Sequence, residues 1–392
     1  MSKNVVVWGD DHHNALGLLR MLGNQDFDVL FLVHRIKCNI ATASKYCKKY
    51  IIVNSIDDGI KYLLTNFSDK KNKAVLLFTA DVYSEAANRN LNKLKDYFFI
   101  AGPSKEGILK ELNDKYIMGM MAAKCGLNIP KTTIIPIESL DDVTCFPAII
   151  KPCSPIAKDF KTRIVQNKKQ LIKAAKFFIP NKRYIIQSYI EKDSDGLIYG
   201  CRTWDGDVHL AGICVRNRWS DDGCGSFGYL TPNIPESVCA LGVKKFLEEI
   251  DFRGLFSVEY ALTEDNAFFY EFNLRNDGTS VLFFNAGANI ALSFVNSCFK
   301  IKDDVQVKIK EKKYLMHEIL DVFNVYDGNV SYKQWKMDKK KATIHFLYDP
   351  NDIKPYKLQK SQMIKKIIHH IISQTWINKM RLMIKNKYKN RQ

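Results

Sequence analysis

The sequence predicts an α/β domain, then an α+β region of antiparallel strands, then a basic amphipathic helical extension. Three observations carry this. Over the first hundred residues short β-branched runs alternate with amphipathic stretches, the pattern of a parallel sheet with helices on its faces. From residue 147 the apolar runs take a different arrangement, with strands following one another in α+β fashion. Finally, residues 354–392 hold eleven Lys and Arg and no Asp or Glu.

Residues 5–8, 29–33, 50–53 and 75–78 are the expected strands of the first domain, and 16–22 and 60–64 its helical faces. The first turn is Gly9-Asp10-Asp11-His12-His13-Asn14-Ala15-Leu16-Gly17. It lacks the three glycines that let a backbone approach a pyrophosphate, which argues against a dinucleotide cofactor. Beyond Ser104 one helix is expected to carry Leu109, Leu112, Tyr116, Met120 and Met121, and to stop at Gly126 and Pro130. Strands are then expected at 147–152, 183–190, 197–203 and 208–215. A loop containing Gly223, Gly225 and Gly228 follows, then a helix near 238–250 and strands at 255–262 and 267–274. No internal repeat is visible.

At 392 residues the chain has room for two or three domains. Apolar residues are 46% and charged residues 26%, with 20 Gly and 11 Pro, which excludes a disordered or fibrous chain. The ten cysteines form no C-x-x-C pair, so they are expected to be reduced packing residues of a cytosolic protein. The adjacent pairs His12-His13 and His369-His370 lack the i, i+4 spacing of helical metal ligands and are taken as structural or surface features. Asp10 and Asp11 come too early for a signal peptide, and no apolar run is long enough to span a bilayer. The net charge of +17 points by itself to nucleic acid, an anionic membrane or a polyanionic substrate.

The chemistry lies in a hairpin. Phe256-Ser257-Val258-Glu259-Tyr260-Ala261-Leu262 and Phe268-Phe269-Tyr270-Glu271-Phe272-Asn273 are joined by residues 263–267, and antiparallel pairing follows. A register that sets Glu259 opposite Glu271 places like charges a few Å apart, which is destabilising unless a positive group sits between them. Asn273 lies on the same strand face as Glu271, and three such oxygen groups suit a hard cation, naturally Mg²⁺ with bound phosphate. Arg275 follows, a guanidinium suited to charge developing in phosphoryl transfer. The competing account makes both glutamates solvent-facing hairpin residues and Arg275 a surface residue.

Further pieces extend the pattern: Asn113-Asp114-Lys115-Tyr116, Ile149-Ile150-Lys151-Pro152, Ile186-Gln187-Ser188-Tyr189-Ile190, Val258-Glu259-Tyr260 and Glu271-Phe272-Asn273-Leu274-Arg275-Asn276. In this order and spacing the sequence resembles the ATP-grasp ligases. Within them the 271–279 stretch and Ala286-Gly287-Ala288-Asn289 look most like the carbamoyl-phosphate-synthase-like and D-aspartate-ligase-like members. The resemblance implies a βαβ pre-domain over 1–103 and a two-lobed ATP-grasp domain over 104–300 with its hinge near 187–190. An α+β segment over 301–353 and the basic tail over 354–392 complete the expected organisation.

It also implies that Lys115 and Lys151 grip the ATP phosphates, and that Gln187, Ser188, Tyr189 and Ile190 read the adenine. An acidic residue beyond them, Asp193 or Asp195 rather than Glu191, meets the ribose. Glu259, Glu271 and Asn273 hold Mg²⁺ or Mn²⁺, and Arg275 and Lys151 act in catalysis. Residues 153–163 depart from the family in having no glycine, with Lys158, Lys161 and Arg163 available in its place. Arg216 and Arg218 form either a clamp for a substrate carboxylate or acyl phosphate or simply a charged strand end.

The implied activity joins a carboxylate to an amine through an acyl phosphate, releasing ADP and phosphate. The expected substrates are small-molecule or lipid-linked acids and amines, on an envelope polysaccharide or peptidoglycan precursor or an amino acid. The alternative is a non-catalytic nucleotide-binding adaptor recruited to the membrane. In the tail, Met363, Ile364, Ile367, Ile368, Ile371 and Ile372 make one helical stripe, and Trp376, Ile377, Met380, Met383 and Ile384 a second. Such a helix either contacts an anionic bilayer at the inner face of the cytoplasmic membrane or docks on the core. Nucleic acid is disfavoured, since no recognisable module carries interleaved aromatic platforms.

Overall fold

The computed structural model describes residues 3–362 apart from 37–38, 136–139, 141–142, 155–161, 221–222, 303 and 318–319, together with 364–365, 368 and 372. The N-terminal sheet consists of β1 (Asn4–Asp11), β2 (Asp28–Ile36), β3 (Lys49–Ile52), β4 (Ala74–Phe78) and β5 (Phe98–Ile100), with α1 (His13–Leu22), α2 (Ile56–Asn66), α3 (Asp81–Arg89) and α4 (Leu91–Leu94) between them. All its pairings are parallel, in the order β3-β2-β1-β4-β5. Helices on both faces explain why the central strands are continuously apolar and buried. Trp8 is the largest buried side chain, and a Cβ on Gly59 would come within 2.3 Å of its ring, so helix α2 approaches the sheet only through a glycine. The strand order reverses between β1 and β4. Their carboxyl ends, the turn at 9–13 and residues 79–81, therefore form the crevice where open α/β sheets place ligands.

After β6 (Gly102–Pro103) come α5 (Ile108–Leu112) and α6 (Lys115–Lys124). The single helix expected from 109 to 121 is thus two. The break falls at Asp114, whose carboxylate accepts hydrogen bonds from the amides of Tyr116 and Ile117 and so begins a new helix at Lys115.

A small antiparallel sheet follows, β7 (Thr132–Ile135), β8 (Ala148–Pro152), β9 (Arg163–Val165) and β10 (Tyr184–Ser188), with α7 (Lys168–Ala175) upon it. Its order is β7-β10-β8-β9. It has a core of its own, built on Ile135, Ile150, Leu171, Tyr184 and Ile186.

The large sheet contains β11 (Ser194–Arg202), β12 (Val208–Trp219), β13 (Gly225–Thr231), β14 (Phe252–Leu262), β15 (Ala267–Asn273), β16 (Lys313–Met316) and β17 (Ile344–His345). The helices around it are α8 (Ala240–Glu249), α9 (Ser280–Asn285), α10 (Ile290–Phe299), α11 (Leu320–Tyr326) and α12 (Tyr332–Lys341). The strand order is β15-β14-β11-β12-β13-β16-β17. Phe283, Phe294 and Val295 share one core with Val5, Leu16 and Leu18, and Leu315 and Ile344 join it. The C-terminal third therefore completes the core of the first sheet.

Gly225 and Gly228 lie in strand β13, not in the loop expected there. A Cβ on Gly228 would sit 2.0 Å from the Val215 carbonyl oxygen and 3.0 Å from the Arg216 Cα. Backbone cannot yield to that contact as a side chain would. Gly228→Ala is expected to cost roughly 1–3 kcal/mol, read as a lowered urea midpoint; an unchanged midpoint would contradict the close approach.

The nine described cysteines are all free, and Cys38 lies outside the described residues. Residues 353–362 are helical; of the first tail stripe Ile364, Ile368 and Ile372 are described and exposed, while Met363, Ile367 and Ile371 and all of the second stripe lie outside the described residues. Among those described, no helix is long and apolar enough to cross a membrane.

Candidate active site

Strands β14 and β15 pair with Glu259 opposite Glu271 and Ser257 opposite Asn273. Beyond Glu259 the register shifts, and Tyr260 faces Phe269. Tyr270 is therefore the extra residue of a bulge, a device that redirects a side chain. Its ring lies 5.1 Å from the Lys151 ammonium at the end of β8, which joins the small sheet to the hairpin.

Cations balance the paired carboxylates. Lys115 Nζ is 2.9 Å from Glu271, and Arg216 Nη2 is 3.6 Å from Glu259. Asn273 donates through Nδ2 to Glu259 at 3.3 Å and accepts from Arg275 Nη2 at 3.0 Å. Burial raises the Glu259 carboxyl above its ordinary range; Arg216 opposes this, while Asp277, Glu271 and Asp195 add to it. Asp277 is held down instead. Burial works against its charge, but Arg275 and two bonds from Thr279 outweigh it.

Lys151 is pushed down to about 8, chiefly by burial and then by neighbouring Lys115, with Glu271 opposing. Above that pH the free protein increasingly holds Lys151 neutral. An anion bound there restores the charge, so nucleotide binding is expected to take up a proton between pH 8 and 9 and to weaken as pH rises. Calorimetry in buffers of different ionisation enthalpy measures this uptake, and Lys151→Arg should abolish it; identical uptake in the variant would assign the proton elsewhere.

Long-range bonds fix Arg275. The Asn276 amide donates to the Phe78 carbonyl at 3.1 Å. Asn14 Nδ2 donates to the carbonyls of Asn276 and Thr79, each at 2.9 Å. Arg275 itself pairs with Asp81 at 3.1 Å. The loop after β15 is thereby sewn into the crevice of the parallel sheet, carrying Arg275 and Asp277 with it.

Two expected groups are placed differently. Arg218 does not join Arg216 at the acidic hairpin: its guanidinium binds Asp321 through two nitrogens and Asp338 through a third, at 2.7–2.8 Å. At the expected hinge, the Ser188 and Tyr189 amides already donate to the Lys131 and Pro147 carbonyls, and Gln187 Nε2 donates to Thr132 Oγ1 at 2.8 Å. These bonds belong to the small sheet and leave Ile190, where the chain departs from it, nearest the role proposed for all four. Asp195 is held by Lys192 and by the Trp219 indole, whereas Asp193 is exposed. Arg163 lies over the Phe177 ring at 4.5 Å, and Lys158 and Lys161 lie outside the described residues.

Carboxylates and a side-chain amide are the hard oxygen donors that Mg²⁺ or Mn²⁺ takes, and Glu259, Glu271 and Asn273 fit that chemistry. Lys115 and Arg216 occupy the counter-charge role beside them. Among the described residues no cluster of three His, Cys, Asp or Glu is close enough to hold a metal, and the Asn273 amide oxygen that stands beside the two carboxylates already accepts from Arg275.

His12 and His13, expected to be structural or surface features, line a cavity of about 450 Å³ with Arg216, Asp277 and His317. The His12 and His13 rings are 3.8 Å apart, and burial, aided by His12 and His317, pushes the His13 imidazole down to about 3. Their place directly after the first strand of a parallel sheet was the available signal.

No family model and no curated protein sequence matches the chain. Solved structures do match in fold. The N5-carboxyaminoimidazole synthetase from Staphylococcus aureus aligns with a TM-score of 0.64 at 11% identity, over 85% of this chain and 88% of its own. The carboxyaminoimidazole ribonucleotide synthase of Aspergillus clavatus, complexed with ATP, gives 0.61 at 12% identity over 81% and 82%. The biotin carboxylase domain of Hydrogenobacter thermophilus 2-oxoglutarate carboxylase, in complex with MgADP, ADP and bicarbonate, gives 0.62 at 13% over 81% and 74%. These are ATP-grasp ligases, and the chain has their fold.

Proposed function

We propose that the chain is an ATP-dependent carboxylate–amine ligase. The observation that carries this is the Glu259–Glu271 pair on adjacent strands, bracketed by Lys115, Arg216 and Arg275, with Lys151 facing it from the small sheet. Such an arrangement suits a polyphosphate accompanied by a divalent cation far better than a neutral ligand. The ATP, ADP and MgADP named for structures of the same fold support it.

In this reading ATP lies between the small and large sheets, with Ile190 and its neighbours at the adenine and Asp193 at the ribose. Lys115 and Lys151 grip the phosphates as point charges. Glu259, Glu271 and Asn273 hold Mg²⁺ (or Mn²⁺), which supplies neutralisation of the phosphate charge. A carboxylate oxygen of the substrate attacks the γ-phosphorus, and the bond to the bridging oxygen breaks with its electron pair onto ADP. Arg275, fixed by Asp81, stabilises the charge on the transferred group. An amine then attacks the acyl carbon of the mixed anhydride, which expels phosphate and loses a proton to water. Positioning and electrostatics suffice, without a covalent protein nucleophile.

Incubation with ATP, an acid and an amine should release ADP and phosphate in equal amounts. Formation of AMP and pyrophosphate would sink the proposal. A nucleotide-binding adaptor would bind ATP without this turnover.

The acceptor in our reading is an envelope polysaccharide or peptidoglycan precursor, lipid-linked or free, or an amino acid. Its support is the basic, amphipathic composition of 354–392, which suits a cytoplasmic enzyme held peripherally at an anionic membrane. The full chain should float with anionic liposomes and lose that behaviour when cut after residue 353; equal flotation of both forms would exclude the tail as the membrane element.

A further inference from the structure

The cavity beside Arg216 has two kinds of wall. Its polar part includes Arg216, Asp277, Thr279 and Gln359; its apolar part is Leu282, Leu315, Leu320, Phe323 and Phe346. Phe346 stands edge-on to His13 at 6.4 Å and lies tilted against His317 at 4.9 Å, so the imidazoles extend the aromatic surface. Gly278 permits this packing, because a Cβ there would come within 2.4 Å of His13 Nε2.

The charge in the cavity is unequally satisfied. Asp277 already receives two bonds from Thr279 and faces Arg275 at 3.5 Å. Arg216 is mostly buried, and its ion pair with Glu259 is long at 3.6 Å. A buried guanidinium so loosely paired leaves donors for an acceptor from a ligand. The low-lying His13 stays neutral at any physiological pH and adds no second positive charge. The volume, about 450 Å³, lies in the range of small-molecule sites.

We propose that this cavity takes the carboxylate substrate, and that the substrate is an acid with an apolar body, aromatic or branched. Its carboxylate meets Arg216 beside the acidic hairpin, and its body lies against Phe346, Leu315 and Leu320. A second carboxylate on that body would meet no second Lys or Arg among the described lining residues and would lose its hydration against leucine and phenylalanine. Which atom is phosphorylated rests on the ligase reading; the selectivity of the cavity does not.

The test uses the full-length protein with 3-phenylpropionate, phenylalanine, leucine, succinate and acetate. Binding is followed by calorimetry, and ADP release is followed with hydroxylamine as the amine. At least one apolar acid should bind tenfold or more tightly than succinate and acetate. Leu320→Trp, which fills the cavity, should weaken that acid tenfold or more while ATP affinity holds. Leu320→Ala should shift preference towards bulkier acids, and it serves if the Trp variant fails to fold. Equal or tighter binding of succinate, or no response to either substitution, would overturn the inference while leaving the ligase reading in place. Apolar acids that bind without any ADP release would uphold the cavity and overturn the ligase reading.

Discussion

Glu271→Gln is expected to lower ADP release by roughly 10²–10³-fold, the loss typical of removing one preorganised electrostatic group from a reaction centre. The substitution keeps the shape of the side chain and removes only its charge. Glu271 is a partly exposed residue at the edge of the hairpin, so thermal stability should hold. Relief of its repulsion also lets Glu259 ionise more readily. The decisive readout is nucleotide binding with and without Mg²⁺. Without metal the wild-type carboxylate repels the ATP phosphates, and the variant should bind ATP more tightly. With Mg²⁺ the variant offers a neutral amide oxygen in place of a charged carboxylate and should bind more weakly. That inversion distinguishes a metal-holding carboxylate from one that merely anchors Lys115. Retention of more than a third of the ADP release would overturn the role assigned to Glu271.

Arg218→Met should destabilise the protein by about 3–5 kcal/mol, the cost of leaving a buried charge without its partner. Asp321 is completely buried, and its oxygens receive Arg218, Ser226 Oγ at 2.7 Å and Asn324 Nδ2 at 3.3 Å. Asp338, one-tenth exposed, completes the cluster from helix α12. Removal of the guanidinium strands two carboxylates and unclips helices α11 and α12 from strand β12. Urea denaturation measures the loss. Adding Asp321→Asn and Asp338→Asn to the same chain should recover much of it, since the stranded charges go too. A loss below 1 kcal/mol in the single variant would mean that the cluster is hydrated and weak. Arg216 lies two residues along the same strand, so the single variant is also expected to weaken binding of the acid substrate.

Much of the fold was written locally. Val5 to Trp8 form a strand buried on both faces because the run is wholly apolar, and Ser55 starts α2 by accepting the Asp58 amide. The opposition of Glu259 and Glu271 followed from the length of one hairpin link. The bulge at Tyr270 did not, since one extra residue in a strand of Phe and Tyr leaves the apolar pattern intact. The helix break at Asp114 was missed because apolar spacing continues across it, while the capping carboxylate acts only through its conformation.

What the sequence determined by itself is the alternating pattern of the first domain, the strands of the acidic hairpin, and a tail that carries eleven of the seventeen excess charges. Residue type fixes local backbone preference and formal charge, and both can be read along the chain. Tertiary structure alone decided which cations meet those carboxylates. Arg216 and Arg218 are two residues apart and chemically alike, yet a register shift in the β12–β13 pairing falls between them. One is directed to Glu259 and the cavity, the other to Asp321, more than a hundred residues away. His12 and His13 likewise share a cavity with Asp277, His317 and Phe346 only in the folded chain, because long-range packing determines what water is excluded from and which groups must answer one another there.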